Sequence, residues 1–276
     1  MSDIKLIISD IDGTILDSQH QLDSKLKRIV AKLKQRSIPF ILASARSPYG
    51  MEPLAQTLGL EDIPMACYNG ALIVQKSENS YRTLYENPLD KTEISELLRL
   101  LKKNHPQIAI SAYAATDWLV EEKNQWIELE AEITGETPFL VDFDDLFTRQ
   151  TSVHKLLLIA EAEDIQKLYL ILQKRIFKHT HFYLSKDNYL EVTAKTVSKD
   201  EALKELAAYY NLNLKQTMAI GDNYNDLPML KLAGLGVAMG NAPEAIQACA
   251  DIIAKSNDQN GVSEVIADCL FEGQTD

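Results

Sequence analysis

Short apolar strands alternate with amphipathic helices at both ends of this 276-residue chain, and the pattern lapses in between. Near the start, Lys5 to Ser9 carries the run Leu-Ile-Ile, of the kind that a parallel sheet buries on both faces. Leu26, Ile29, Val30 and Leu33 follow at i, i+3, i+4 and i+7, which predicts a helix with one apolar stripe. Ile38 to Ala43 returns to strand. Pro48 then opens a second helix, with Met51, Leu54, Ala55 and Leu58 on one face and Gly59 to stop it. The far end reads alike: helix over Lys199 to Tyr210, strand Thr217 to Ile220, helix Asp226 to Leu232, strand Leu235 to Ala238, a helix opened by Pro243, strand Ile252 to Ala254 and a closing helix Val262 to Leu270. Strand-helix alternation of this kind specifies an α/β fold on a parallel sheet, and both ends read as parts of the same sheet.

The middle differs. Of the 11 glycines only Gly135 falls between residues 71 and 220, where an even spread would put about six. A helix through Ile94, Leu97, Leu98 and Leu101 is followed by extended stretches at Ile108 to Ala114 and Trp118 to Glu121, and by a polar helical stretch near Glu122 to Gly135. Then come a strand Lys155 to Ala160, a helix Ile165 to Phe177, and the strands Phe182 to Leu184 and Tyr189 to Val192, which read as a pair. This α+β character predicts a second domain at 84–188 inserted into a discontinuous core of 1–83 and 189–276.

Forty acidic against 28 basic residues give a formal charge of −12, the wrong field for general binding to nucleic acid or anionic lipid. Cys67, Cys249 and Cys269 are odd in number, widely spaced and lack zinc-site spacing, so reduced thiols and a cytoplasmic location are expected. No stretch approaches the roughly 20 apolar residues of a membrane span, and no secretory signal segment is evident.

Chemistry concentrates where strands end. Ser9-Asp10-Ile11-Asp12-Gly13-Thr14 leaves the first strand at its carboxyl end, the edge where open α/β sheets bind ligands. Two carboxylates entering one crevice repel each other unless a cation lies between them, and a hard divalent ion with oxygen ligands resolves the conflict. Gly221-Asp222-Asn223-Tyr224-Asn225-Asp226 follows another strand and brings Asp222 to the same edge. Asn225 and Asp226 sit where a helix cap would also be satisfied. Ser44, after the second strand, offers a hydroxyl and nearby N–H groups, and Lys199 opens a helix against its dipole. Together these supply carboxylates, a hydroxyl and an ammonium for an anionic ligand on a metal.

In this order the motifs Asp10-Ile11-Asp12-Gly13-Thr14, Ser44 with Arg46, Tyr68-Asn69-Gly70-Ala71, Lys199 before Ala202-Leu203, and Gly221-Asp222 through Asn225-Asp226 resemble the haloacid dehalogenase superfamily, in its Cof-type phosphatase branch. The stretches Val237 to Pro243, Ala250-Asp251 and Asn260 to Val262 also look like that branch. The resemblance covers both core segments and implies a Rossmann-like parallel-sheet core with an inserted α+β cap that closes over the site. It implies Asp10 as nucleophile and Asp12 as general acid/base, with Mg²⁺ held by Asp10, Asp12 through its carbonyl, and Asp222. Ser44, Lys199, Asn225 and the backbone near Ile11 and Ala45 would hold the phosphoryl group, with Arg46, Asn69, Asn223 and Asp226 in support.

The function implied is a Mg²⁺-dependent phosphomonoesterase acting on small phosphorylated metabolites, sugar phosphates among them, without nucleic acid, membrane or an obligate protein partner. The alternatives are a phosphotransferase or mutase of the same superfamily, and a weakened protein that binds phosphometabolites without turning them over. Three departures bear on rate or on a turn: Ala45 stands where the family usually has glycine, Asp200 follows the Lys where glycine is common, and Ser37 replaces the glycine before the second strand. Trp118 and Trp126 read as packing residues in preference to a sugar-binding face, and the five histidines show no metal-ligand spacing.

Overall fold

The computed structural model describes residues 3–78, 80–148 and 151–271, with the side chains of 147 and 148 left out. The chain opens with β1 (Leu6–Ser9), α1 (Leu26–Gln35), β2 (Phe40–Ala43), α2 (Pro48–Leu58), β3 (Met65–Cys67), β4 (Leu72–Ser77) and β5 (Ser80–Glu86). It continues through α3 (Lys91–Asn104), β6 (Ala109–Ala114), β7 (Asp117–Val120), α4 (Gln125–Thr134), β8 (Phe139–Leu140), α5 (Phe143–Thr148), β9 (Lys155–Ile159), α6 (Ala162–Gln173), β10 (Thr180–Lys186) and β11 (Tyr189–Ala194). It ends with α7 (Lys199–Tyr209), β12 (Thr217–Gly221), α8 (Leu227–Leu232), β13 (Leu235–Ala238), α9 (Glu244–Gln247), β14 (Ile252–Ile253) and α10 (Gly261–Phe271).

Two compact units result, one of residues 1–46, 51–85 and 198–276, the other of 47–50 and 86–197. In the first, an eight-stranded sheet runs β14-β13-β12-β1-β2-β3-β4-β5. The six strands from β14 to β3 are parallel, and β4 turns back antiparallel to β3. The apolar runs explain the burial: every residue of β1, β2 and β12 is buried. Leu6, Ile8, Ile41 and Ala219 meet Leu203 and Leu206 of α7 and Met229 and Leu230 of α8 in one core. The stripe Leu26, Ile29, Val30 and Leu33 that predicts α1 is its buried face. Because β1 lies between β2 and β12, the strand order reverses around it, and the carboxyl end of β1 is a switch point of the kind that binds ligands.

The second unit is a six-stranded sheet, β10-β11-β9-β6-β7-β8, antiparallel except for the pairing of β7 with β8. One face of it buries Ala112, Leu156, Leu158, Phe182, Leu190 and Val192 against Leu97 and Leu101 of α3 and Ile165, Leu168 and Leu172 of α6. The expected boundary at 188/189 is corrected here: it cuts between β10 and β11, which pair in register from Thr180↔Ala194 to Lys186↔Tyr189, so β11 belongs to the second unit and the chain returns at 198. The strands β3, β4 and β5 are absent from the sequence reading. β3 has three residues, too few to show a period, and β5 is mostly exposed and polar. No helix among the described residues is long and apolar enough to cross a membrane.

Candidate active site

Five peptide segments meet at the carboxyl ends of β1, β2 and β12. The register Ser9↔Ile220 and Ser9↔Leu42 sets the residues after β1 beside those after β12 and β2, and Asp10 N donates to Ile220 O at 2.9 Å. The turn after β1 is closed by Ile11 O, which accepts from the amides of Thr14, Ile15 and Leu16. Gly13 has φ +84 in this turn, a conformation open to glycine at little cost. A Cβ there would stand 2.5 Å from Asp222 Oδ2, so glycine is also what lets Asp222 approach. Asn241 Nδ2 donates to Gly13 O at 2.9 Å and steadies the turn.

Asp10, Asp222 and Asp226 each place a carboxylate oxygen within 4.8 Å of the others. Lys199 enters from the first residue of α7, fully buried, and donates to Asp10 Oδ1 and, at 2.6 Å, to Asp226 Oδ1. Asp226 commits both oxygens to the protein, because its Oδ2 accepts from the amides of Asp222 and Asn223 at 3.0 and 2.9 Å. Asp226 precedes α8, yet its carboxylate caps no helix amide and turns to Lys199. Among the described residues, Asp10 and Asp222 each commit only Oδ1, Asp222 to the hydroxyl of Thr14 at 2.9 Å. Their second oxygens are the pair available to a cation.

The electrostatics agree. Burial, reinforced by Asp226 and Asp222, pushes the Asp10 carboxyl up to about 8 against the pull of Lys199. Asp222 rises to about 6, chiefly by burial and then by Asp226. Burial works against the Lys199 ammonium, but Asp10 and Asp226 outweigh it and hold the proton well above the usual lysine range. Three carboxylates and one ammonium in a buried cluster are short of positive charge, and a divalent cation with oxygen ligands supplies it. The residues present therefore fit such an ion.

The remaining predicted residues surround this cluster. Asp12 stands apart from the acidic trio, half-exposed, with Arg46 donating to both its oxygens, Nε to Oδ2 at 3.0 Å. Ser44 is buried in a loop that its own backbone ties down: Ser44 N donates to Ala66 O, and Ser44 O accepts from Asn69 N at 2.8 Å. Asn225 Nδ2 donates to Asn69 Oδ1 at 3.2 Å, which orients the Asn225 amide. Asn223 contributes its backbone amide to Asp226. Ala45 is absent from the residues with positive φ, so this loop does not require glycine there. Asp200 lies in the first turn of α7 and pairs with Lys204 at 3.5 Å, away from the phosphate-binding task expected of Lys199.

Two features escape a sequence reading. Thr14 is buried and orients Asp222, and only its place in the Asp-x-Asp-Gly-Thr string hints at this. Tyr68, Asn69 and Gly70 take φ of 52, 57 and 97 in succession, strain that a packed site over-determines. Gly70 lies against the start of α7: a Cβ would lie 2.7 Å from Ser198 O, so this close approach seats the helix start that carries Lys199.

A family model described as haloacid dehalogenase-like hydrolase matches residues 7–266. A Haemophilus influenzae protein named "Putative phosphatase" is 33% identical over 95% of this chain and 97% of its own. A Bacillus subtilis protein, 5-amino-6-(5-phospho-D-ribitylamino)uracil phosphatase YcsE, is 26% identical over 96% and 95%. Among solved structures, a haloacid dehalogenase-like hydrolase from Bacteroides thetaiotaomicron superposes with a TM-score of 0.84 at 29% identity, covering 97% of this chain and all of that one.

Proposed function

The chain belongs to the haloacid dehalogenase-like hydrolases and is a phosphatase, and from that premise we propose that it hydrolyses monoesters of small phosphorylated metabolites through an aspartyl-phosphate, with Mg²⁺ as cofactor. The observation that carries this reading is the buried set of Asp10, Asp222, Asp226 and Lys199 at the carboxyl end of β1. Asp10 and Asp222 would hold the ion through the oxygens that the protein leaves to them. The ion, when bound, neutralises charge on the transferring oxygens and keeps Asp10 ionised near neutral pH.

In the first half-reaction Asp10 attacks phosphorus, the bond to the ester oxygen breaks, and Asp12 gives that oxygen its proton. In the second, Asp12 takes a proton from water, the water oxygen attacks phosphorus, and the bond to Asp10 breaks to release inorganic phosphate. Arg46 aims the Asp12 carboxylate from both oxygens. Lys199 places its ammonium beside Asp10, where it would offset the charge of the incoming phosphoryl oxygens. Ser44, Asn225 and the backbone N–H groups near Ile11 and Ala45 hold the phosphoryl oxygens. The named substrate of the YcsE relative, a phosphorylated ribityl compound, supports a small polyol ester as substrate. We place residues 86–197 as a cap domain that sets selectivity, and three cysteines of which none forms a disulfide among the described residues, Cys67, Cys249 and Cys269, favour the cytoplasm.

The test is Asp10→Asn, assayed for phosphate release from p-nitrophenyl phosphate and from a panel of sugar and polyol phosphates, with and without Mg²⁺. Turnover is expected to vanish while the circular-dichroism spectrum is unchanged. Activity within about tenfold of the parent would end the assignment of Asp10 as nucleophile.

A further inference from the structure

Helix α6 presents apolar side chains to water on the side where a surface helix is normally polar. Its buried stripe is Ile165, Leu168 and Leu172. The helical period places Lys167, Leu170, Ile171 and Lys174 on the opposite side, where Leu170 and Ile171 are 60% and 37% exposed. The turn after the helix adds Ile176, an aliphatic side chain that is 92% exposed. Single exposed apolar residues are ordinary on a protein surface, but three of them fall here between positions 170 and 176.

The turn is firmly held. Phe177 is part of the buried core, edge-on to Phe182 with centroids 4.9 Å apart, and its carbonyl accepts from Lys195 Nζ. The Glu93 carboxylate of α3 accepts from the amides of Lys178 and His179 and, at 2.6 Å, from the Thr180 hydroxyl. Ile176 is thus displayed between tethered neighbours. Charge follows the same path. From Ile165 to Lys186 the chain carries five of its 28 Lys and Arg residues and none of its 40 Asp and Glu. Lys167 is matched by Glu163 at 2.6 Å, whereas Lys174, Arg175 and Lys178 are exposed and have no ion-pair partner among the described residues.

We propose that the outer face of α6 and the turn after it form a docking surface for an anionic lipid bilayer, on which the chain lies without spanning it. Ile176, Leu170 and Ile171 enter the boundary between headgroups and acyl chains, and Lys174, Arg175 and Lys178 meet the phosphates around them. The formal charge of −12 on the whole chain does not forbid this, because charges more than about 8 Å away are largely screened at physiological ionic strength and the sign of the patch decides. Two features favour a bilayer over other anionic partners. Aliphatic side chains offer no platform for base stacking, so nucleic acid would leave them in water. An almost fully exposed Ile176 is a projection, which a fluid bilayer accepts wherever it lands, whereas a protein partner needs a pocket shaped for it.

The test reads no turnover and is independent of the phosphatase reading. The full chain is floated with vesicles of phosphatidylcholine alone or mixed with phosphatidylglycerol, at low and high salt. Flotation is expected only with the anionic vesicles, and it should fall as salt rises. Lys174→Ala and Arg175→Ala should each lower the partition coefficient about fivefold, and Ile176→Ser about tenfold or more. Lys27→Ala, which removes an exposed lysine of α1, should leave it unchanged. All four positions are exposed, so the variants should keep the parent's circular-dichroism spectrum. No flotation with anionic vesicles at low salt, equal flotation with phosphatidylcholine alone, undiminished flotation of Ile176→Ser, or a loss in Lys27→Ala matching that in Arg175→Ala would each overturn the bilayer surface. Retention on RNA or poly-glutamate as tight as on anionic vesicles, and unaffected by Ile176→Ser, would also overturn it and assign the patch to a polyanion.

Discussion

Replacing Gly13 with alanine separates backbone strain from damage to the site. The φ of +84 costs a residue with a Cβ about 1–2 kcal/mol in the left-handed region. A methyl group there would also lie 2.5 Å from Asp222 Oδ2, 3.0 Å from Cγ and 3.1 Å from Oδ1. Ordinary contact begins at 3.4 Å, so the carboxylate must retreat by about 1 Å, a displacement that costs on the order of 10²-fold in rate when it touches reacting groups. Asp222 cannot swing aside freely, since Thr14 Oγ1 holds its Oδ1. Gly59 supplies the control: its φ is +71, and an added Cβ meets nothing within 4 Å. Both variants should therefore melt lower by roughly 2–4 °C per kcal/mol of strain. Only Gly13→Ala should lose about 10²-fold in kcat/KM on p-nitrophenyl phosphate and need more Mg²⁺ to reach half its maximal rate. Gly13→Ala within about threefold of the parent rate, or Gly59→Ala losing as much activity, would refute the claim that Gly13 exists to admit Asp222.

Two further outcomes concern stability. Ser37 has φ +56 just beyond α1, where helices commonly end on glycine, so Ser37→Gly should stabilise the chain by about 0.5–1 kcal/mol after glycine's own entropy cost, read as a higher denaturation midpoint with unchanged turnover. A lower midpoint would show that the serine is not strained. His154 is fully buried; its Nδ1 accepts from Ala115 N at 3.1 Å and its Nε2 meets Glu86 at 3.2 Å. Burial holds its pKa below the usual 6.5 despite Glu86, so between the folded and unfolded values the unfolded chain takes up a proton that the folded one does not. Its contribution to stability is therefore complete above about pH 6.5 and lost as pH falls toward the folded value. The stability difference between the parent and His154→Gln should shrink on acidification across that window; a difference flat with pH, or one that grows in acid, would contradict it.

The parts of this protein legible in its sequence are those written at short range. Leu26, Ile29, Val30 and Leu33 specify α1 because helical period is a local matter, and they are buried as that period demands. Asp-x-Asp-Gly-Thr after an apolar run identifies the end of β1 as a site, since chain direction within a parallel sheet fixes which edge receives ligands. Spacing says nothing of what meets across long intervals. Asp10 and Lys199 are 189 residues apart, and only the β1–β12 register and the close approach of Gly70 to Ser198 bring them into contact. Asp226 reads locally as a helix cap and becomes a buried partner of Lys199 only when folded, because a carboxylate out of water takes the nearest ammonium and amides. Strand pairing likewise decided where the second unit ends, since β11 finds its partners β9 and β10 in that sheet and the chain itself marks no break at 188. Local composition sets which elements form, and long-range pairing sets which side chains share a dielectric, and with it their charge.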